Sequence, residues 1–454
     1  MHRNFLLMAI CSVMLSACAE KTLPVKTASG NSANKTGSQS QPEVPTPVKK
    51  TTSKTDSESA STKSKTKPKK VSNTKPPAFS PKPNYLPREE FQAGWIKLFD
   101  DHTLFGWKAN SDANWRVENG TLIADGGTAG LLVTDVPFAN YELRCEYRLA
   151  KGGNSGIFLR SLFDPKDAAR DCYELNMCDS HPTHPTGSLV FRKKADVKSV
   201  GEGEWKKYHV TLDGRKIVVK LDGKTVLDFQ DDTPNFRPSG YIGLQYREGK
   251  IEFRNISLRP LGGKPVFNGN DLTGWTLTPG AKGKVAVENS ELRMTGGPAF
   301  LQSKETYGDF VLQMDAKTHA ARVNSGLFFR AMPGSEQQPA NGYELQIHNG
   351  FKNGDRTQPD DYQTGYGTGA IFRFAKARWV VPNDNEWCTI TLVAHGNRFA
   401  SWVNGHQVTS WTDNRKPNDN PRRGQRLKAG HLILQAHDDQ CDISFRNLNV
   451  QQFP

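Results

Sequence analysis

Read from its residues alone, the chain is all-β: two tandem β-sandwiches behind a long polar leader. The phrase NSGIFLR at Asn154–Arg160 returns as NSGLFFR at Asn324–Arg330. It is one of several phrases that recur in the same order. LFDDHTLFGW (Leu98–Trp107) is answered by VFNGNDLTGW (Val266–Trp275), YELNMCDS (Tyr173–Ser180) by YELQIHNG (Tyr343–Gly350), and IEFRNISL (Ile251–Leu258) by ISFRNLNV (Ile443–Val450). The offset grows along the chain, which puts insertions into the loops of the second copy. Within each copy the runs are short, alternating, and β-branched or aromatic, as in YHVTLDGRKIVVKLDGKTVLDF. They break at DG, NG and HGN, residues of tight hairpin turns. No segment sustains a helical period. So long a repeat is a domain duplication, unlike the roughly 20–50-residue periods of solenoids.

In chain order, residues 1–18 read as a lipoprotein signal peptide. A basic start (His2, Arg3) precedes the apolar run Phe5–Leu15, too short to be a comfortable membrane span, and then small residues. LSAC at Leu15–Cys18 fits a bacterial lipobox, in which cleavage before Cys18 leaves a thiol for acylation. Residues 19–90 are rich in Lys, Ser, Thr and Pro. They hold too little apolar surface to offset chain entropy, so a disordered tether is expected.

The formal net charge of +13 is local. Thirteen lysines face four acidic residues between Ala19 and Asn84, and Arg3 adds one more, which leaves residues 85–454 with a surplus of three. Cationic charge on a flexible segment, with no folded face to carry it, gives no reason to expect nucleic acid as a partner. It suits either a solvated spacer or contact with an anionic surface such as a membrane or acidic polysaccharide. The expected address is the cell envelope, with the protein anchored by lipid at the outer membrane, in the periplasm or at the cell surface. Residues 91–261 are then the first sandwich and 262–454 the second. Cys388 and Cys441 are either a disulfide pair or buried free thiols.

Strand alternation sorts the polar residues. In the second copy Glu344, Gln346 and His348 share a face, as do Gly326, Phe328 and Arg330, and also Gln435 and His437. The first copy offers Glu174, Asn176 and Cys178, then Gly156, Phe158 and Arg160, then Gln245 and Arg247. Each glycine leaves room for a ring near the backbone, and Asn154 and Asn324 shape the entering turn. Cross-strand Glu–Arg pairs also stabilise sheets that have no function. Four residue types converging from three strands argue for a pocket.

The ordered set LFD…GW, NSG-(I/L)-F-x-R, YEL, TG, EW, LQ and FRN resembles the 3-keto-disaccharide hydrolase domain family over nearly all of residues 95–454, twice. The resemblance implies two concanavalin A-like jelly rolls, each with a concave sheet whose open face takes a sugar. It implies cleavage of a 3-keto-glycoside or 3-keto-disaccharide. The C3 carbonyl acidifies the C2 proton, the C1 substituent leaves by elimination, and water adds back. On that reading Glu344, His437 and Arg330 are catalytic: Glu344 and His437 share base and acid duty, and Arg330 or a divalent metal holds the enolate oxygen. Gln346, His348 and Gln435 bind substrate, with Arg160, Glu174, Asn176 and Gln245 as first-copy counterparts. Many members carry a His after the LQ strand. The second copy keeps it in QAHDD, whereas the first reads QYREG, so the second copy is expected to be the reactive one. The rival readings are a carbohydrate-binding protein without catalysis and a cell-surface interaction protein.

No metal set is obvious. Cys178, His181 and His184 have ligand-like spacing in a Pro-rich loop, and Asp355, Asp360 and Asp361 are oxygen donors without regular calcium-loop spacing. Calcium, manganese or zinc is therefore the open cofactor question. Trp107, Trp275, Trp205 and Trp387 belong either to the cores or to sugar platforms.

Overall fold

A computed structural model of the chain describes residues 86–197, 201–360 and 365–454. The expected signal peptide, Cys18 and most of the expected tether lie outside the described residues, as does Asp361. The tether's expected end at residue 90 shifts. Arg88–Gln92 form a short helix, and Arg144 Nη1 donates to Glu90 Oε1 at 3.0 Å. The same guanidinium lies 3.8 Å from the Trp95 ring centroid. A charge partner and an aromatic face thus hold the segment against the first sandwich. Among the described residues no helix is long and apolar enough to cross a membrane.

Each copy pairs an eight-stranded with a five-stranded antiparallel sheet. The small sheet of the first copy runs in the order Trp107–Ala109, Gly130–Thr134, Tyr241–Tyr246, Ser155–Ser161, Tyr173–Met177. That of the second repeats the order: Trp275–Leu277, Ala299–Tyr307, Gly430–Ala436, Ser325–Met332, Asn341–Ile347. Alternation decides what each strand buries. Leu327, Tyr343, Leu345 and Leu434 of the second small sheet meet Leu312, Ile390, Phe399 and Phe445 of its large sheet. Ile157, Leu175 and Leu244 meet Leu143, Val210 and Phe253 in the first copy.

Trp107 and Trp275 are core residues whose indole N–H groups donate to Leu98 O (2.6 Å) and Val266 O (2.8 Å). Trp205 and Trp387 belong to neither core. They are half-buried, with the guanidinium carbons of Arg254 at 3.9 Å and Arg446 at 4.0 Å over their rings. Cys145, Cys172, Cys178, Cys388 and Cys441 are all buried and free, so Cys388 and Cys441 are thiols and not a disulfide.

Both sandwiches lie in one compact unit. Val311, Val393, Ala400 and Trp402, from the outward face of the second copy's large sheet, join the first copy's core cluster. Trp402 Nε1 donates to Lys97 O at 2.9 Å, Gln313 Nε2 to Gly94 O at 2.9 Å, and Arg378 Nη1 to Asp100 Oδ2 at 2.9 Å.

Candidate functional site

The recurring phrase resolves residue by residue. Ser155 and Ser325 each donate from Oγ to a carbonyl one strand away, Gln245 O and Gln435 O, both at 2.6 Å. Gly326 leaves the space that Glu344 occupies: a Cβ there would stand 3.1 Å from Glu344 Oε1. The terminal arginine departs from the expected placement. Arg160 and Arg330 have φ of 46° and 48° at β-bulges, marked by register shifts beside them. A bulge inverts the alternation, so both side chains turn away from the outer face and are fully buried.

Arg330 donates from Nε to Gly308 O (2.9 Å), from Nη1 to Gly396 O (2.6 Å) and Arg426 O (3.0 Å), and from Nη2 to Asp309 Oδ1 (2.6 Å). Arg160 repeats the pattern on Ala139 O, Gly214 O, Arg237 O and Asn140 Oδ1. These arginines tie loops together from inside the sandwich. Their guanidinium bonds go to these loop groups and not to Glu344 or His437.

The outer face of the second small sheet keeps the remaining expected groups. Gly326 stands opposite both Gln346 and Gln435, and Phe328 opposite both Glu344 and Ile433. Phe300, Phe328 and Ile433 form an apolar patch separate from the main core. Glu344 is 4% exposed. Burial raises its carboxyl above the ordinary carboxylate range, while the Arg422 guanidinium, and more weakly His437 and Arg373, pull it back down. Arg422 Nη2 donates to Glu344 Oε2 at 2.7 Å, and its guanidinium carbon lies 5.0 Å from the Phe328 ring centroid.

Sequence reasoning missed Arg422 because it sits on no strand and has no repeat partner. The connection that runs Asp231–Gly240 in the first copy runs Asp413–Ala429 in the second, and the extra length carries it. The growing offset between the copies was the available signal.

His437 is half-exposed, with Nδ1 3.1 Å from Asp438 Oδ2. Gln435 is buried with its Oε1 unpaired, and Gln346 Nε2 donates to Asn324 Oδ1 at 2.9 Å. His348 is shut in. Its Nδ1 lies 3.1 Å from Val323 O and its Nε2 3.0 Å from Asp360 Oδ1, in the inserted loop that covers it.

In the first copy Gln245 Nε2 donates to Glu174 Oε1 at 3.3 Å, and burial raises the Glu174 carboxyl as well. Asn176 is buried against the following loop, where its amide donates to His184 O, so it does not reach the open face. His181 Nδ1 accepts from the backbone N–H of His184 at 3.0 Å, a turn contact. Among the described residues no three His, Cys, Asp or Glu side chains are grouped as metal ligands.

Both copies are antiparallel β-sandwiches, and the second presents a buried carboxylate, an arginine, a histidine and two amides beside an apolar patch. The chain belongs to the 3-keto-α-glucoside-1,2-lyase-like domain family, whose model matches residues 94–259 and 262–451. It is 25% identical over 228 residues to a 3-keto-disaccharide hydrolase of Bacteroides thetaiotaomicron, an alignment covering 37% of this chain and 79% of the relative. Among solved structures it is similar to a candidate glycosyl hydrolase of Parabacteroides distasonis, at 20% identity and TM-score 0.36, covering 40% of this chain and 100% of that one. It is also similar to the carbohydrate-binding module CBM66 of Bacillus subtilis, at 14% identity and TM-score 0.27, covering 34% and 95%.

Proposed function

We propose that the second copy cleaves 3-keto-glycosides by elimination and hydration at the outer face of its small sheet. The observation that carries the reading is the buried Glu344–Arg422 pair set beside His437 and an apolar patch. The ionised Glu344 takes the C2 proton, and the C–H electrons form an enolate with its charge on the C3 oxygen. Arg422, the cation beside Glu344, takes over the stabilising role first expected of Arg330. The enolate electrons then restore the carbonyl, a C1–C2 double bond forms, and the C1–O bond breaks. His437 delivers a proton to the departing oxygen. Water adds at C1 and a proton returns to C2. Gln346 and Gln435 orient hydroxyls, and the partly exposed Phe300 lies under the ring with Phe328 packed behind it, since sugar clefts pair apolar walls with a few placed polar groups.

The test is turnover of a 3-keto-disaccharide by the full chain. Glu344→Gln and His437→Ala each lower kcat by about 10²–10⁴-fold with the fold intact by circular dichroism; wild-type-like rates would remove these residues from the chemistry. Chelation followed by adding back calcium, manganese or zinc measures whether a divalent ion shares the enolate role.

The N-terminus extends the reading to location: acylation at Cys18, a polar tether and residence in the cell envelope. Metabolic labelling with a radioactive fatty acid, lost in Cys18→Ser, is the expected result. Equal labelling of the variant would overturn it.

A further inference from the structure

The first copy carries its own open cleft on the equivalent face. A cavity of about 530 Å³ is lined by Asn110, Ser111, Asp112, Phe158, Gln245 and Arg247, among others. That size falls within the roughly 300–1,000 Å³ of ligand clefts. Gln245 is 8% exposed, yet its carbonyl Oε1 has no hydrogen-bond partner. A buried acceptor left unpaired is costly and calls for a donor from outside the chain. Phe158 supplies an apolar floor, packed with Leu131 and Val133.

The charges on the cleft balance. Lys166 and Asp164 pair at 2.6 Å, and Arg247 offsets Asp112. Glu174 behind Gln245 is held toward its neutral form by burial, with the Gln245 amide and Arg247 opposing. No net field selects an anion or a cation, so the surface suits a hydroxyl-rich neutral ligand. Neither reactive feature of the second copy is present. Arg247 stands where His437 stands, and a guanidinium does not give up its proton. The shorter Asp231–Gly240 connection brings no arginine to Glu174.

We propose that this cleft is a second, non-reactive site that binds neutral, unoxidised oligosaccharide. It stands on its own observations and does not depend on the chemistry assigned to Glu344. The test titrates the full chain calorimetrically with cellotetraose and maltotetraose, and with tetragalacturonate as an acidic probe. The expected result is saturable binding of a neutral tetraose that survives Glu344→Gln and weakens about tenfold in Gln245→Leu and in the surface variant Arg247→Ala.

Hydrogen exchange locates the site independently of any variant's folding, with protection expected in Gly130–Thr134 and Tyr241–Tyr246 and none in Gly430–Ala436. The proposal fails if neither tetraose binds, if tetragalacturonate binds in their place, or if protection falls on the second copy alone. Turnover of a 3-keto-disaccharide without tetraose binding would sink this site and leave the reaction standing; the reverse would sink the reaction alone.

Discussion

Glu344 balances two opposed effects. Desolvation lifts its carboxyl above the ordinary range, and the Arg422 guanidinium opposes that lift. The acid limb of the pH–rate profile, where the base loses activity by protonation, follows that balance. Removing the positive charge in Arg422→Ala raises the carboxyl pKa, so the limb of kcat/KM moves to higher pH. A limb that stays put or moves down would mean that Arg422 is not the counter-ion. Much of this face was legible in the sequence. Period-two alternation grouped Glu344 with Gln346, Gly326 with Phe328, and Gln435 with His437; the strand registers then set Glu344 opposite Phe328, and Gln346 and Gln435 opposite Gly326. Arg330 was not legible. One residue of left-handed backbone reverses which face a side chain meets, and alternation carries no trace of it.

The strand Ser325–Met332 shows how an element can serve two tasks. Its first half floors the outer face with Gly326 and Phe328, and its bulge sends Arg330 inward to gather three carbonyls and one carboxylate. Gly430 makes room for that bulge: a Cβ there would stand 2.4 Å from the Arg330 carbonyl carbon. The planar fork of arginine, more than its charge, suits four partners at fixed angles. Arg330→Lys is therefore expected to cost about 3–5 kcal/mol in urea unfolding, while the folded fraction keeps its kcat. A near-neutral change in stability with a collapse of kcat would return Arg330 to the chemistry. The neighbouring Asp413–Ala429 connection was readable as extra length, but not as the carrier of Arg422. Loops have no period from which the reach of a side chain can be deduced.

Over the whole molecule the copies differ in what covers their large sheets. Lys206–Asp213 of the first copy alternates buried with partly exposed positions, whereas Cys388–His395 of the second is buried almost throughout. The partner filling the second side of that strand is the first copy. Trp402→Ala removes the largest of these contacts and its hydrogen bond to Lys97 O. Calorimetry of the full chain is expected to show a loss of about 3–5 kcal/mol and separate melting of the two copies. An unchanged single transition would show that Trp402 does not couple them.

The five enclosed cysteines carry a consequence of their own. Burial pushes the thiols of Cys388 and Cys441 up to about 12, so neither forms the thiolate that oxidants and alkylating agents attack. Their inertness belongs to the closed sandwich and not to the sulfur. Each opening of the chain in air releases reactive groups that can cross-link molecule to molecule, so resistance to unfolding also shields this protein from covalent clumping.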